Sequence, residues 1–304
     1  MSLYGIIEAG GTKFVCAVAE SADKIHSRVE FPTTTPDETL AIVANYFSDF
    51  MKNSGEKLDS IGIACFGPLD LNKNSDKYGY ITSTPKPGWQ YVDVAGFFKR
   101  KFNLPVGFDT DVNAAAYSEF LWGAGKQLDV VLYLTVGTGI GGGLYVNGKP
   151  LHGLMHPEMG HVIVNQDKEK DPFDCICPYH TNCLEGLASG KAVDMRWKCH
   201  ASELDDDHQA WEIEADYLAQ GIMNYILVAS PQIVILGGGL MHKKLLYRMI
   251  REKVQQKLNG YINISSITDN IDKYIVEPGL GVNAGIDRGF CLTMLRGFTY
   301  NEPL

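Results

Sequence analysis

Short apolar runs punctuated by glycine and proline alternate along this chain with longer stretches of helical period. From Gly5 to Ala19 the pattern reads as strand, glycine turn, strand, with Gly10-Gly11-Thr12 at the reversal. A third strand follows near Ile25 to Phe31. Thr35-Pro36-Asp37-Glu38 is a helix start, with capping-box spacing and proline at the first helical position. Leu40, Val43, Phe47 and Phe50 then fall on one helix face. Ile61 to Phe66 predicts a short buried strand ending at Gly67-Pro68, and Thr82 to Trp89 is too rich in proline for regular structure. Asp93 opens a short helix. Val106 to Phe108 predicts a strand that runs through Asp109-Thr110-Asp111-Val112-Asn113 into another helix.

The second half restarts this pattern. Val130 to Val136 reads as a strand, Gly137 to Gly143 as a glycine turn, and Leu144 to Val146 as a strand closed by Asn147-Gly148, a strong hairpin signal. Ile233 to Leu236 followed by Gly237-Gly238-Gly239 repeats the strand-then-glycine order of Ile61 to Gly67. Helices are predicted over Trp211 to Ala229 and Lys243 to Leu258, the latter stopped by Asn259-Gly260. A last helix, from about Ala284, would cross back onto the first half. The chain therefore reads as two related α/β halves, each opening with a glycine-turned hairpin.

At 304 residues it exceeds one average core, which allows one large or two modest domains. A net charge of −9 without any strongly basic stretch argues against nucleic acid as the main partner. No apolar run reaches the ~18 residues of a membrane span, so no membrane partner is expected. Seven cysteines is an odd number, and Cys175, Cys177 and Cys183 fall close together, which suits a reducing cytoplasm better than disulfide pairing. Cys16 and Cys65 lie in apolar strand-like runs and read as core residues.

The cluster is Cys177-x-x-His180-x-x-Cys183, and His161 sixteen residues upstream can close a tetrahedron with it. Two thiolates and two imidazoles suit Zn2+ in a closed structural site. A few buried cysteines beside a surface histidine is the blander alternative. Cys175 could replace His180, although the evenly spaced set is favoured. Glu158 and Glu185 frame the cluster, so fixing its ligands fixes two carboxylates that could accept from sugar hydroxyls.

Gly137-x-Gly139-x-x-Gly142 matches a dinucleotide fingerprint by letter, but such a loop must open a helix, and Leu144 to Gly148 reads as a strand and turn. A hairpin needing positive φ would also explain one glycine turn. Two such turns and a third glycine-rich strand end are better explained by phosphate, since glycine lets backbone N–H groups approach oxygen closely. Gly10-Gly11-Thr12 and Gly137-Thr138-Gly139 could hold a nucleotide's phosphates from opposite sides of a cleft, with Gly237-Gly238-Gly239 leaving a slot for adenine.

Glu8-Ala-Gly-Gly-Thr-Lys13, Asp111-Val-Asn113, Gly137-Thr-Gly-Ile-Gly141, Glu158-Met-Gly-His161, the cysteine cluster and Leu236-Gly-Gly-Gly239 together resemble the ROK family of sugar kinases, in family order. The resemblance spans residue 4 to about 298. It is nearest to the family's bacterial fructokinases, on Glu8-Ala9, on His156-Pro157, and on histidine within the cluster. Most relatives have an aspartate in the first loop and a third cysteine in the cluster, and many have asparagine where Thr110 stands.

The resemblance implies a two-lobed, actin-like (ribonuclease-H-like) ATPase fold with duplicated mixed-sheet halves and a zinc-bound insertion. The lobes would be residues 1–118, completed by a terminal helix over 287–304, and 119–286. It makes Asp111 the general base toward a hexose hydroxyl, and Asp111 as a plain helix cap is the alternative. Asp109 would face the other side of that segment. Mg2+ would come with ATP, Glu8 orienting its water shell and Lys13 either nearing the phosphates or standing as a solvated strand lysine. Gly67, Asn113, Glu158, His161 and Glu185 would bind the sugar, and lobe closure would exclude water.

The expected activity is ATP-dependent phosphorylation of a hexose 6-hydroxyl, fructose first, by a cytoplasmic homodimer. Glucose, mannose or an N-acetylhexosamine are alternatives within that class. A sugar-binding repressor would need a helix-turn-helix before the first strand, and a sensor without catalysis would not need Asp111.

Overall fold

In a computed structural model, residues 2–281 and 284–294 are described. The expected helix over 287–304 lies outside the described residues from 295 onward. Ten strands form two five-stranded sheets. The first sheet holds β1 (Tyr4–Ala9), β2 (Lys13–Ser21), β3 (Lys24–Pro32), β4 (Ser60–Cys65) and β5 (Val106–Thr110), in the order β3-β2-β1-β4-β5. The second holds β6 (Val130–Val136), β7 (Ile140–Val146), β8 (Lys149–Pro150), β9 (Ile233–Gly237) and β10 (Ile275–Val276), in the order β10-β9-β6-β7-β8. Matched strand for strand, the two orders are the same. Each sheet has an antiparallel glycine-turned hairpin and two parallel strands added beside the hairpin's first strand. The duplicated actin-like architecture is present.

Burial follows from these positions. The parallel strands β4 and β5 are buried at every residue, as strands covered on both faces must be. β3 alternates between exposed and partly covered residues, the pattern of an edge strand wet on one face.

The helices are α1 (Pro36–Ser54), α2 (Val94–Phe102), α3 (Asp111–Trp122), α4 (Leu184–Ala188), α5 (Gly190–Trp197), α6 (Ala210–Ala229), α7 (Leu245–Leu258), α8 (Ser265–Thr268), α9 (Ile271–Tyr274) and α10 (Ala284–Met294). α1 begins where its sequence indicates: the Thr35 side chain accepts from the Glu38 N–H, Pro36 opens the first turn, and Gly55 closes the helix at φ 74°. Asn259 and Gly260, both at positive φ, stop α7.

The glycine turn expected over residues 137–143 is shorter in the structure. Ile140–Val146 is strand, and Gly142 faces Met159, whose Sδ lies 2.4 Å from where a Cβ would stand. Gly142 admits a neighbour rather than a reversal. Among the described residues, no helix is long and apolar enough to cross a membrane.

The chain divides into two compact units. One comprises the residues up to Leu121, Pro150–His156 and the segment from Leu280; the other comprises Trp122–Lys149 and Pro157–Gly279. Each has its own apolar core, built around Ile7, Phe14, Phe47, Ile63 and Phe108 in the first and around Leu132, Leu184, Trp211, Leu236 and Ile250 in the second.

In the first unit α10 lies against β1, β2, β4 and β5. It approaches so closely that a Cβ on Gly62 would stand 2.0 Å from the Gly289 carbonyl oxygen, and one on Gly107 2.1 Å from that of Leu292. Backbone cannot yield there as a side chain would. Gly62→Ala and Gly107→Ala should therefore each cost roughly 1–3 kcal/mol or more by overpacking. Urea unfolding should show a lowered midpoint for both, whereas alanine at the open Gly11 should change it little.

Candidate active site and metal centre

Strand register assembles the first unit's site. Ala9 pairs with Cys65 and Cys65 with Thr110, so three parallel strands end level with one another. The residues just beyond those ends, Gly10, Gly67 and Asp111, are thereby brought to one sheet edge. Gly10 turns back through its N–H to the Lys13 carbonyl at 3.0 Å. Gly67 precedes a cis Pro68 and packs 3.4 Å from the His156 ring, whose Nε2 accepts from the Leu69 N–H at 3.0 Å.

Asp111 is the first residue of α3, but it does not cap the helix. Thr110 Oγ1 accepts from the Asn113 N–H at 3.0 Å, while Asp111 Oδ1 accepts from the N–H of Val112. Asp111 is half-buried, and protein surrounds its carboxylate. That desolvation pushes its carboxyl up to about 6, against the lowering pull of Arg288 and with a smaller push from Glu8. Glu8 and Arg288 pair at 2.8 Å. Asp109, fully buried, faces elsewhere and accepts from Thr110 N, Asn113 Nδ2 and His152 Nε2. Asn113, expected among the sugar contacts, is itself fully buried and turned onto Asp109. Lys13 Nζ reaches Glu30 at 2.7 Å on the exposed side of the hairpin.

In the second unit, Thr135 pairs with Gly237, so the turn after β6 and the glycines after β9 emerge side by side. They line a cavity of about 670 Å³, within the range of ligand sites. Gly137, Thr138, Gly238 and Gly239 face it, with Lys191 and Lys243 supplying positive charge. Gly238 is held at φ 94° against the Val136 backbone, a position only glycine takes without strain. Gly190 N donates to the Gly137 carbonyl at 2.7 Å, fastening the start of α5 to the turn. Gly139 instead faces Glu185, and Gly237 faces Tyr133. Concavities of about 750 Å³ beside α1 and β3 and about 790 Å³ beside α6 and α7 hold none of the motif residues.

His161, Cys177, His180 and Cys183 form a group whose ligating atoms all lie within 4.8 Å of one another. Cys177 Sγ is 3.4 Å from His180 Nδ1 and 3.9 Å from His161 Nδ1. Sulfur and nitrogen on a tetrahedral zinc would be separated by about 3.6 Å, so the donor set fits such an ion. His180 belongs to the group and Cys175 does not; the Cys175 thiol packs against Gly186. Burial pushes the Cys183 thiol up to about 12, a cost that a bound cation would reverse. Cys183 also caps α4, accepting from the Gly186 N–H. The other face of the cluster meets Glu185: Oε1 is 3.9 Å from His161 Nε2, and Oε2 accepts from the Ile140 N–H at 2.9 Å. Glu158 is exposed at the head of the short turn Met159–His161.

Sequence reasoning missed Arg288, His152, Lys191 and Lys243. His156 stood out only as part of a His-Pro pair.

A sequence model described as the ROK family matches residues 4–286. Fructokinase from Pediococcus pentosaceus is 43% identical over 290 residues, covering 95% of this chain and 97% of its own. Fructokinase from Zymomonas mobilis is 43% identical over 294 residues, covering 96% of each. Among solved structures, a ROK hexokinase from Thermus thermophilus superposes with a TM-score of 0.76 at 24% identity, over 96% of this chain and 98% of that one.

Metal analysis of the purified chain should return one divalent transition ion per protein molecule. Cys183→Ser should lose that ion and melt at lower temperature, while Cys175→Ser should retain it. Loss in the Cys175 variant would exchange the roles of the two thiols.

Proposed function

The chain belongs to the ROK family, and from that premise we propose that it is an ATP-dependent hexose kinase acting on the 6-hydroxyl of fructose. The observation that carries the reading is Asp111, a half-buried aspartate at a parallel strand's end with its proton affinity raised by burial. Phosphoryl transfer asks the protein mainly for a positioned nucleophile, a base and charge stabilisation. A base close to neutral pH best combines ionisation with basicity. Asp111 Oδ would take the proton of the sugar hydroxyl as that oxygen attacks the γ-phosphorus and ADP leaves.

The other residues take supporting roles. Gly11 and Thr12 in the first unit, and Thr138, Gly238 and Gly239 in the second, would offer backbone N–H groups to ATP phosphates and space to the base, while the Gly10 and Gly137 N–H groups hold their own turns. Glu8, steadied by Arg288, would orient the water around Mg2+ that arrives with ATP. Glu158, His161 and Glu185 would contact sugar hydroxyls. The Cys2His2 group would hold Zn2+ as a structural ion with no open coordination position, which fixes His161 and Glu185 but does no chemistry. The seven cysteines, all free, support a reducing cytoplasm, and the resemblance supports a homodimer. Fructose is favoured because relatives alike over nearly their whole length bear that name.

ADP release with Mg-ATP should be fastest with fructose in a panel that includes glucose, mannose and N-acetylmannosamine. A preference for another hexose would keep the mechanism and move the substrate; sugar binding without turnover would favour a sensor. Asp111→Ala should lower kcat by roughly 10²–10⁴-fold while sparing sugar binding. In the wild type the ionised carboxylate is the active form, so kcat/KM should fall as pH drops through about 6. A flat profile from pH 5 to 8 would remove Asp111 as the base.

A further inference from the structure

His152, which no motif contains, reaches Asp109 in the first unit. Asp109, to which it bonds, is fully buried at the end of β5. Three donors converge on that carboxylate. Thr110 N at 2.7 Å and Asn113 Nδ2 at 2.9 Å both reach Oδ1, and His152 Nε2 reaches Oδ2 at 2.9 Å. The first two donors flank Asp111 on either side, so Asp109 clasps the turn on which Asp111 stands.

A buried carboxylate is costly unless its oxygens are satisfied. Oδ1 is supplied by the turn itself, and Oδ2 by His152, whose Nε2 must carry the proton to donate to a carboxylate. Deprived of that donor, Asp109 would turn toward other partners and draw Thr110 and Asn113 with it.

We propose that His152 is a positioning residue: by donating to Asp109 it fixes the turn between β5 and α3, and through it the aim of Asp111 at the sugar hydroxyl. The proposal rests on Asp111 being the base. The segment Pro150–His156 is also held by His156 at Leu69, so removing the His152 side chain leaves its backbone anchored. Displacement of a reacting group by about 1 Å can cost ~100-fold, which sets the scale.

The test compares His152→Ala and His152→Gln with the wild type in steady-state kinetics, with melting curves to follow the fold. His152→Ala should lower kcat roughly 10–100-fold and leave KM for sugar and ATP within about threefold. His152→Gln, whose amide can donate from nearly the same place, should recover most of that loss. Unchanged kcat in the alanine variant, a loss confined to sugar KM, or no recovery by glutamine would each overturn the proposal.

A second measurement separates this from failure of the kinase reading. In the substrate-free protein, 15N spectra of the imidazoles should show His152 protonated at Nε2, with that signal moved by Asp109→Asn. The opposite tautomer, or a signal indifferent to Asp109→Asn, would refute the pairing even if no hexose is turned over.

Discussion

The Glu185 carboxylate joins two parts of the second unit that sequence separates. One oxygen accepts the Ile140 N–H at 2.9 Å, where the glycine turn passes into β7; the other lies 3.9 Å from His161 in the cysteine–histidine group. Its own support is slight, since α4 is five residues long, too short to hold itself in water. A cap such as Cys183 contributes on the order of 1 kcal/mol, whereas a structural zinc contributes ~10–16 kcal/mol to the fold around it. An ion held by that group would therefore decide the direction of α4, and α4 decides where Glu185 points. Gly190, at the start of the next helix, holds the same turn from the other side through the Gly137 carbonyl.

The first unit reaches the same end through strand register. Its turn residues follow parallel strands that stop in register, so hydrogen bonding within the sheet aligns Gly10, Gly67 and Asp111 before any side chain acts. α10 then lies on those strands with its backbone in near contact with Gly62 and Gly107, which brings Arg288 to Glu8. Close packing at the strand centres thus places a charge at the strand ends. In both units a polar group at the site is aimed by something built elsewhere, a cysteine–histidine group in one and a helix–sheet contact in the other.

What the sequence disclosed follows from this division. Glycine turns, the Thr35 cap, the Asn147-Gly148 reversal and the Cys/His spacing are local, and local spacing is legible in a single chain. So was the duplication, since both sheets repeat one order of strands. Arg288 was not legible, because its partner Glu8 is 280 positions away and no motif surrounds it. His152 is separated from Asp109 by 43 positions and lies in a stretch without periodicity. Gly141 to Gly143 were misassigned to a turn for another reason. Glycine signals a reversal and a close approach with the same letter, and only the tertiary neighbour Met159 distinguishes them. The family resemblance put Asn113 among the sugar contacts, but that side chain is turned inward onto Asp109.

The electrostatics around Asp111 show why Arg288 matters beyond its bond to Glu8. Burial and the Glu8 carboxylate both favour the protonated form of Asp111, and Arg288, followed by the backbone N–H groups of Val112 and Asp111, opposes them. Burial wins, but only as far as about 6. At neutral pH a carboxyl of that affinity is about nine-tenths ionised, yet roughly a hundredfold more basic than an ordinary aspartate. Without the guanidinium, the same burial would carry the group toward a protonated state that cannot accept a proton. With a more exposed carboxylate, the base would be ionised but weak. The arginine on a terminal helix, lodged there by glycine contacts at the strand centres, holds the carboxyl between those two failures.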